Sequence, residues 1–209
     1  MSPRIVRHYD LSEAAPTRNA QIDFTRHDDQ RWAGILELPA NAALPLNTDA
    51  RHDMYLLSGQ VSVGENNFSQ GTFLSTGIAG LHNDLPSWRA GVNGAVLFAY
   101  RDQLATKSGK QVLSPAQLNW QLGGADGMHV ATLSETQHRL MLVSWQPGTR
   151  MRFHRHPQGE EIFVLKGQLR DERGIYPTGS WQRLYADAGH APYAKEETLI
   201  LLRNGHLRS

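Results

Sequence analysis

The second half of this sequence restates the first at an offset of 108 residues. Arg31 pairs with Arg139, Pro39 with Pro147, Leu57 with Leu165, Gly59 with Gly167 and Gln60 with Gln168. Gly71 pairs with Gly179, and His82 with His190. A repeat of this length predicts two like units in tandem. Within each unit the text is strand-like. The first half reads QIDF, RWAGILEL, MYLLSGQVSVG, GTFLSTG and GAVLFAY; the second reads HVATL, RLMLVSW, MRFHRH, EIFVLKGQLR, GSWQRL and TLILLRNGHL. Glycine, asparagine, proline and aspartate separate the runs, as in an all-β sandwich or barrel. Several repeated positions are glycines, which hairpins need for their backbone angles. A polar stretch from Arg101 to Gly109 joins the halves, and SPAQLNW predicts one helical turn. Residues 1–20 carry no pattern and are expected to wrap a barrel edge or to stay partly mobile.

The segment Gly148 to Gly167 carries the chemistry. It reads G-x5-H-x-H-x3-E-x6-G. Arg152, His154 and His156 are two apart, so in a strand they share one face. Pro157, Gln158 and Gly159 make a turn, and Glu160 opens the next apolar strand. The hairpin brings two imidazoles and a carboxylate to one side of the sheet. A second segment, Gly179 to His190, reads G-x10-H and delivers a fourth donor, His190. Three histidines and one glutamate suit a mononuclear transition-metal site, with Zn, Fe, Mn, Ni or Co all compatible. Glu161 faces the other way and reads as structural or surface. Ile162 and Val164 share the face of Glu160 and are expected to line a pocket. Tyr176, Trp181 and Tyr193 are candidates for its rim or for core packing. In a regular strand Arg152 points inward beside His154, as a candidate for binding an anionic substrate; a bulge would turn it outward.

These two segments resemble the paired motifs of the cupin superfamily. The first matches at Gly148, His154, His156, Glu160 and Gly167. The second matches at Gly179 and His190, and departs at Tyr185, Asp187 and Ala194. Within cupins, HRHPQGEEIFVLKGQLRDERGIYPTGSW is most similar to the cupin domain of ChrR-type anti-sigma factors. The resemblance implies a bicupin of two jelly-roll barrels, residues 1–105 and 106–209. It implies one divalent metal, zinc or iron, held by His154, His156, Glu160 and His190 in the second barrel. The first barrel carries Leu46, Thr48 and His52 where the second has His154, His156 and Glu160, and only His82 keeps its counterpart. Such a donor set is too poor for a metal. That barrel is expected to cover its neighbour as a second subunit would, and a homodimer is a further assembly open to the chain.

Two functions follow from the resemblance. One is a metal-dependent oxygenase, a cupin dioxygenase in type, acting on a small oxygenated and anionic molecule. The other is a non-catalytic module that binds a small ligand or senses stress. A sigma factor is not an expected partner: the relatives' sigma-binding domain uses zinc and helices, and this chain shows no cysteine and no helical stretch ahead of its first barrel. The 209 residues are 40% hydrophobic and 20% charged, with net charge +1. The charges are interspersed, so no basic patch argues for nucleic acid. No apolar run reaches membrane-spanning length, and no export signal opens the chain, so the expected location is cytoplasmic. The absence of cysteine excludes disulfides, thiolate ligands and thiol switches.

Overall fold

The computed structural model describes residues 4–14, 16–25, 30–47, 49–76, 88–103, 105, 111–135 and 138–207. Its elements are antiparallel strands and two short 3-10 turns, Leu11–Glu13 and Pro115–Gln117. The second turn falls inside SPAQLNW, where one was expected.

The chain separates into two compact units, Glu13–Gln117 and Met1–Ser12 with Leu118–Ser209. The division departs from the expected 1–105 and 106–209 at both junctions, and backbone pairing is the reason. Arg4–His8 forms a ladder with Ser180–Leu184, which places the chain's first strand in the C-terminal unit. Gln111–Leu113 pairs with Phe73–Ser75, which leaves that segment with the N-terminal unit.

In the C-terminal unit the large sheet runs, edge to edge, through Arg4–His8, Ser180–Leu184, Glu160–Lys166, Thr198–Asn204, Arg139–Trp145, Met128–Glu135 and Trp120–Leu122. Two smaller sheets complete the barrel: His154–Arg155 with Gly189–His190, and Gly174–Pro177 with Gln168–Asp171 and Tyr193–Ala194. The N-terminal unit orders Ala20–Asp23, Arg31–Leu38, Arg89–Asp102, Arg51–Val63, Phe73–Ser75 and Gln111–Leu113, with Asn66–Ser69 also paired to Arg51–Val63.

The repeat is visible residue by residue in the hairpins. Gln60 faces Ser69 and Val63 faces Asn66 in one unit; Gln168 faces Pro177 and Asp171 faces Gly174 in the other. Each of these positions is displaced by the same 108 residues. The turn glycines repeat as well. Gly59 and Gly167 have φ of 78° and 70°. A Cβ on Gly59 would lie 2.2 Å from the Gly94 carbonyl oxygen, and one on Gly167 would lie 2.2 Å from that of Glu197. Only glycine meets both the left-handed angle and the close backbone approach.

Strand register sorts the barrel interior into rows. Glu160 lies beside Asn204, and Asn204 beside Arg139. The next inward row is Ile162, Leu202 and Met141, and below it Val164, Ile200 and Val143. The opposite face of the same strands is buried too. Glu161 there is fully buried and accepts hydrogen bonds from Arg183 Nε (2.6 Å) and His206 Nε2 (2.9 Å), with Arg203 Nη1 at 4.0 Å. Burial alone would raise the Glu161 carboxyl, but Arg183, His206 and Arg203 outweigh it and hold it at about 2. Burial and the neighbouring Arg203 push His206 down to about 4, so its imidazole is neutral at pH 7.

The folded His206 therefore binds a proton less readily than the unfolded one. Stability should fall as pH drops from about 6.5 to 4, and Glu161 extends the loss toward its own folded value. His52 of the N-terminal unit, also depressed to about 4, adds a loss of the same sign. His206→Gln should flatten part of this dependence, by on the order of 1–3 kcal/mol across the window. Urea denaturation at pH 7, 5.5 and 4 checks it: equal slopes in both proteins would refute the assignment.

Candidate metal centre

Short-range geometry assembles the site. His154 pairs directly with His190 across the two-stranded ladder. His156 follows at the start of a turn closed by the Gly159 amide, which donates to the His156 carbonyl at 3.0 Å. Gly159 has φ of 70°, and the chain re-enters the large sheet at Glu160. The three imidazoles form a near-equilateral triangle, with centroids 4.8, 5.0 and 5.1 Å apart. One donor atom from each of His154, His156, Glu160 and His190 lies within 4.8 Å of all the others. A metal bonded at about 2.1 Å would hold such donors roughly 3–4.2 Å apart, so a small contraction completes the shell. Among the described residues this is the one cluster of its kind.

The electrostatics fit a cation. Glu160 is 2% exposed. Its Oε2 lies 2.6 Å from His156 Nε2 and 3.8 Å from His190 Nε2, yet it makes no hydrogen bond of proper geometry. His156 Nε2 and His190 Nε2 face each other at 3.2 Å. Ring nitrogens converging on a buried carboxylate are the donor set a divalent ion requires. His154 Nδ1 lies 2.9 Å from the Arg152 carbonyl oxygen; Nδ1–H donates to it, which leaves Nε2 as the free donor atom. Burial pushes the His154 imidazole down; the Arg152 carbonyl works against this, and His190 and His156 reinforce it. A neutral ring is the metal-binding form.

Behind His190 stands Asp171, whose Oδ2 is 3.7 Å from Nδ1. Asp171 Oδ1 accepts from the amides of Arg173 and Gly174 and from the Tyr176 hydroxyl, at 2.8, 3.1 and 3.0 Å. Arg4 of the first strand donates to Oδ2 at 2.7 Å and also contacts Gln182. Burial favours the protonated acid, but His190, the Arg173 amide and Arg4 together hold Asp171 well below the usual carboxylate range. The carboxylate stays charged and stands behind His190 as a counter-charge, at a distance too long for a hydrogen bond.

The four residues line a cavity of about 280 Å³, together with Arg139 and Asn204. Ile162 also lines it, as expected, whereas Val164 is packed in the core. Arg152 does not reach this cavity. It is exposed and borders a separate hollow of about 960 Å³ outside the loop, where His154 is the one shared ligand. The strand holding His154 is only two residues long. Upstream of it the Met151 amide is tied to the Pro192 carbonyl, alternation lapses, and Met151 takes the inward place. The cation at the cavity is Arg139, half exposed and paired with Glu135 at 2.7 Å. Tyr176, Tyr193 and Trp181 lie under the guanidinium groups of Arg4, Arg150 and Arg183 and do not line the cavity.

In the N-terminal unit, His52 is buried and its Nε2 accepts the Asn47 amide at 3.0 Å. Burial and Arg101 push the ring down to about 4. Its lone pair is spent on the backbone. Thr48 and His82 lie outside the described residues.

Joint replacement His154→Ala/His156→Ala should abolish stoichiometric metal uptake, while His52→Ala should leave it intact. Arg4→Met should weaken metal affinity about 10–100-fold, the usual effect of losing a residue that steadies a ligand from behind. Chelator competition measures both; unchanged affinity in Arg4→Met would disprove the role of the first strand.

Comparison with known proteins places this geometry. Residues 108–208 match the family model described as the ChrR cupin-like domain. No curated protein matches the chain. A crystal structure from Nostoc punctiforme, provisionally named a dioxygenase, is similar at TM-score 0.75 and 13% identity, over 98% of this chain and 84% of that one. A cupin 2 conserved barrel protein from Leptotrichia buccalis follows at 0.60 and 14%, over 90% and 88%. A point mutant of Bacillus subtilis oxalate decarboxylase gives 0.62 and 12%, over 100% and 78%. Identities this low speak for the fold alone. The chain shares its all-β fold with these proteins, and residues 108–208 are similar to the ChrR cupin-like domain.

Proposed function

We propose that the C-terminal barrel binds one divalent transition metal through His154, His156, Glu160 and His190, and acts there on a small oxygenated molecule as an oxygenase-like enzyme. The observation that carries this is the placement of the donor set in the wall of a cavity, so that the residues leave one side of the centre facing it. When bound, the metal supplies Lewis acidity and, in the case of iron or manganese, redox capacity. The protein's part is to hold His154 in one tautomer through the Arg152 carbonyl, to set the Asp171 carboxylate behind His190, and to keep Glu160 buried.

The expected anionic character of the substrate loses its first support with Arg152 outside the cavity. Arg139 is the remaining cation, and Glu135 already balances it. One observation favours the second reading, a binding or sensing module. Among the described residues lining the cavity, none besides the four ligands is a ready general acid or base; Arg139 and Asn204 are the other polar groups, apart from the indole of Trp145. A small molecule is the partner in both readings, and no sigma factor is invoked. No helix of the described residues is long and apolar enough to cross a membrane.

Metal analysis of protein purified without added metal should find about one ion per chain, lost in His154→Ala/His156→Ala. Iron-loaded protein should then consume dioxygen with at least one oxygenated small molecule, and the double variant should not. Ligand-induced thermal stabilisation without oxygen uptake, under zinc, iron and manganese alike, would decide for the binding module instead.

A further inference from the structure

The shape and lining of the cavity say what kind of molecule it takes. We infer that the ligand is an amphiphile of roughly nine non-hydrogen atoms, with an oxygen-chelating head at the metal donors and an apolar body filling the barrel interior. The inference rests on the metal reading above. Taking a water's share of liquid volume, about 30 Å³, for each atom gives that size from the 280 Å³ cavity.

The charged and amide lining is confined to one end; the one polar group farther in is the Trp145 indole N–H. Arg139 and Asn204 share the row of Glu160, and so lie level with the donor set. The two rows below contribute Ile162, Leu202 and Met141, then Ile200 and Val143; Met151 faces them from the loop. Beyond Glu160's row and the histidines, no described residue of the cavity wall has a charged or amide side chain. A second carboxylate placed there would be desolvated against hydrocarbon with no counter-charge. A hydrocarbon or aryl body loses nothing there and leaves water. A compact dicarboxylate would leave most of the cavity unfilled.

Two further features fit an apolar guest. Leu202, Met151 and Val130 are only partly buried although they pack against the hydrophobic core. They are apolar surface at the cavity that the protein itself leaves open. Met128, Met141 and Met151 contribute three thioethers to the lining. Methionine is unbranched and polarizable, and it repacks around guests of differing outline at small cost.

The test uses three probes with one head group: acetohydroxamate, octanohydroxamate and the monohydroxamate of octanedioic acid. They are titrated into the full-length protein loaded with cobalt(II), whose visible spectrum reports on the metal head by head. Each buried methylene should tighten binding about fourfold. Octanohydroxamate should therefore bind at least 100-fold tighter than acetohydroxamate. The probe ending in a carboxylate should lose most of that gain. In Leu202→Gln that keeps its cobalt, the gain from chain length should shrink at least tenfold. Equal affinity for the short and long hydroxamates, or an undiminished gain with the terminal carboxylate, would overturn the inference while leaving the metal centre standing. Failure of the wild-type chain to take up cobalt or any other divalent metal would overturn the metal reading, and the inference with it. Cobalt content is measured before any probe is added, so the two failures are told apart.

Discussion

Two adjacent carboxylates, Glu160 and Glu161, are buried on opposite faces of one strand, and the C-terminal barrel is arranged around neutralising both. An ionised carboxylate in a protein interior needs compensating charge and hydrogen bonds. The period of two in a strand sends the two acids to different surroundings. Glu161 is met by permanent cations and a neutral histidine, which makes a network complete within the protein at neutral pH. Glu160 is met by imidazoles alone. Imidazole nitrogens offer lone pairs toward Glu160, so that face has the donor set that could hold a metal. One face is a finished structural ion cluster, and the other is a candidate receptor for an ion.

The N-terminal unit shows the same outer-face problem solved without the inner one. Asp53 stands at the repeat position of Glu161 and is bound on both oxygens by Arg51 Nε at 2.9 Å. At the position of Glu160 stands His52, which takes a backbone amide. Repetition kept the demand for a buried acid facing outward. The inward position carries a group that a single hydrogen bond satisfies, with no call for a metal.

Much of this was legible in the sequence. The turn glycines at Gly59, Gly71, Gly167 and Gly179 fixed the repeat because left-handed φ and close backbone contact tolerate little else. The four donors were legible because their spacing encodes a hairpin and a returning strand. Arg152 misled because period-two reasoning assumes a strand, and the strand there is two residues long. Arg139, Asp171 and Arg4 were not legible for a different reason. Arg139 begins a run, RLMLVSW, that is apolar on both faces, so alternation cannot say which face turns inward. Its place beside the site follows from register across Asn204 to Glu160. Asp171 and Arg4 meet His190 across the fold, and no local spacing announces such a meeting.

The strand Arg4–His8 has a consequence for how the molecule is made. Its hydrogen-bonding partners, Ser180–Leu184, lie far downstream in the chain. The segment therefore waits until that stretch has been made before it can dock there. The entropic cost of so wide a closure grows only slowly with loop length, so the delay is one of order rather than of energy. During that interval the N-terminal unit has its own strands at hand, while the C-terminal sheet lacks its outermost member. Until the segment docks, Asp171 has no guanidinium behind it. Docking of the strand and placement of Arg4 behind Asp171 are thus coupled events, and a fusion partner attached ahead of Arg4 would act on both.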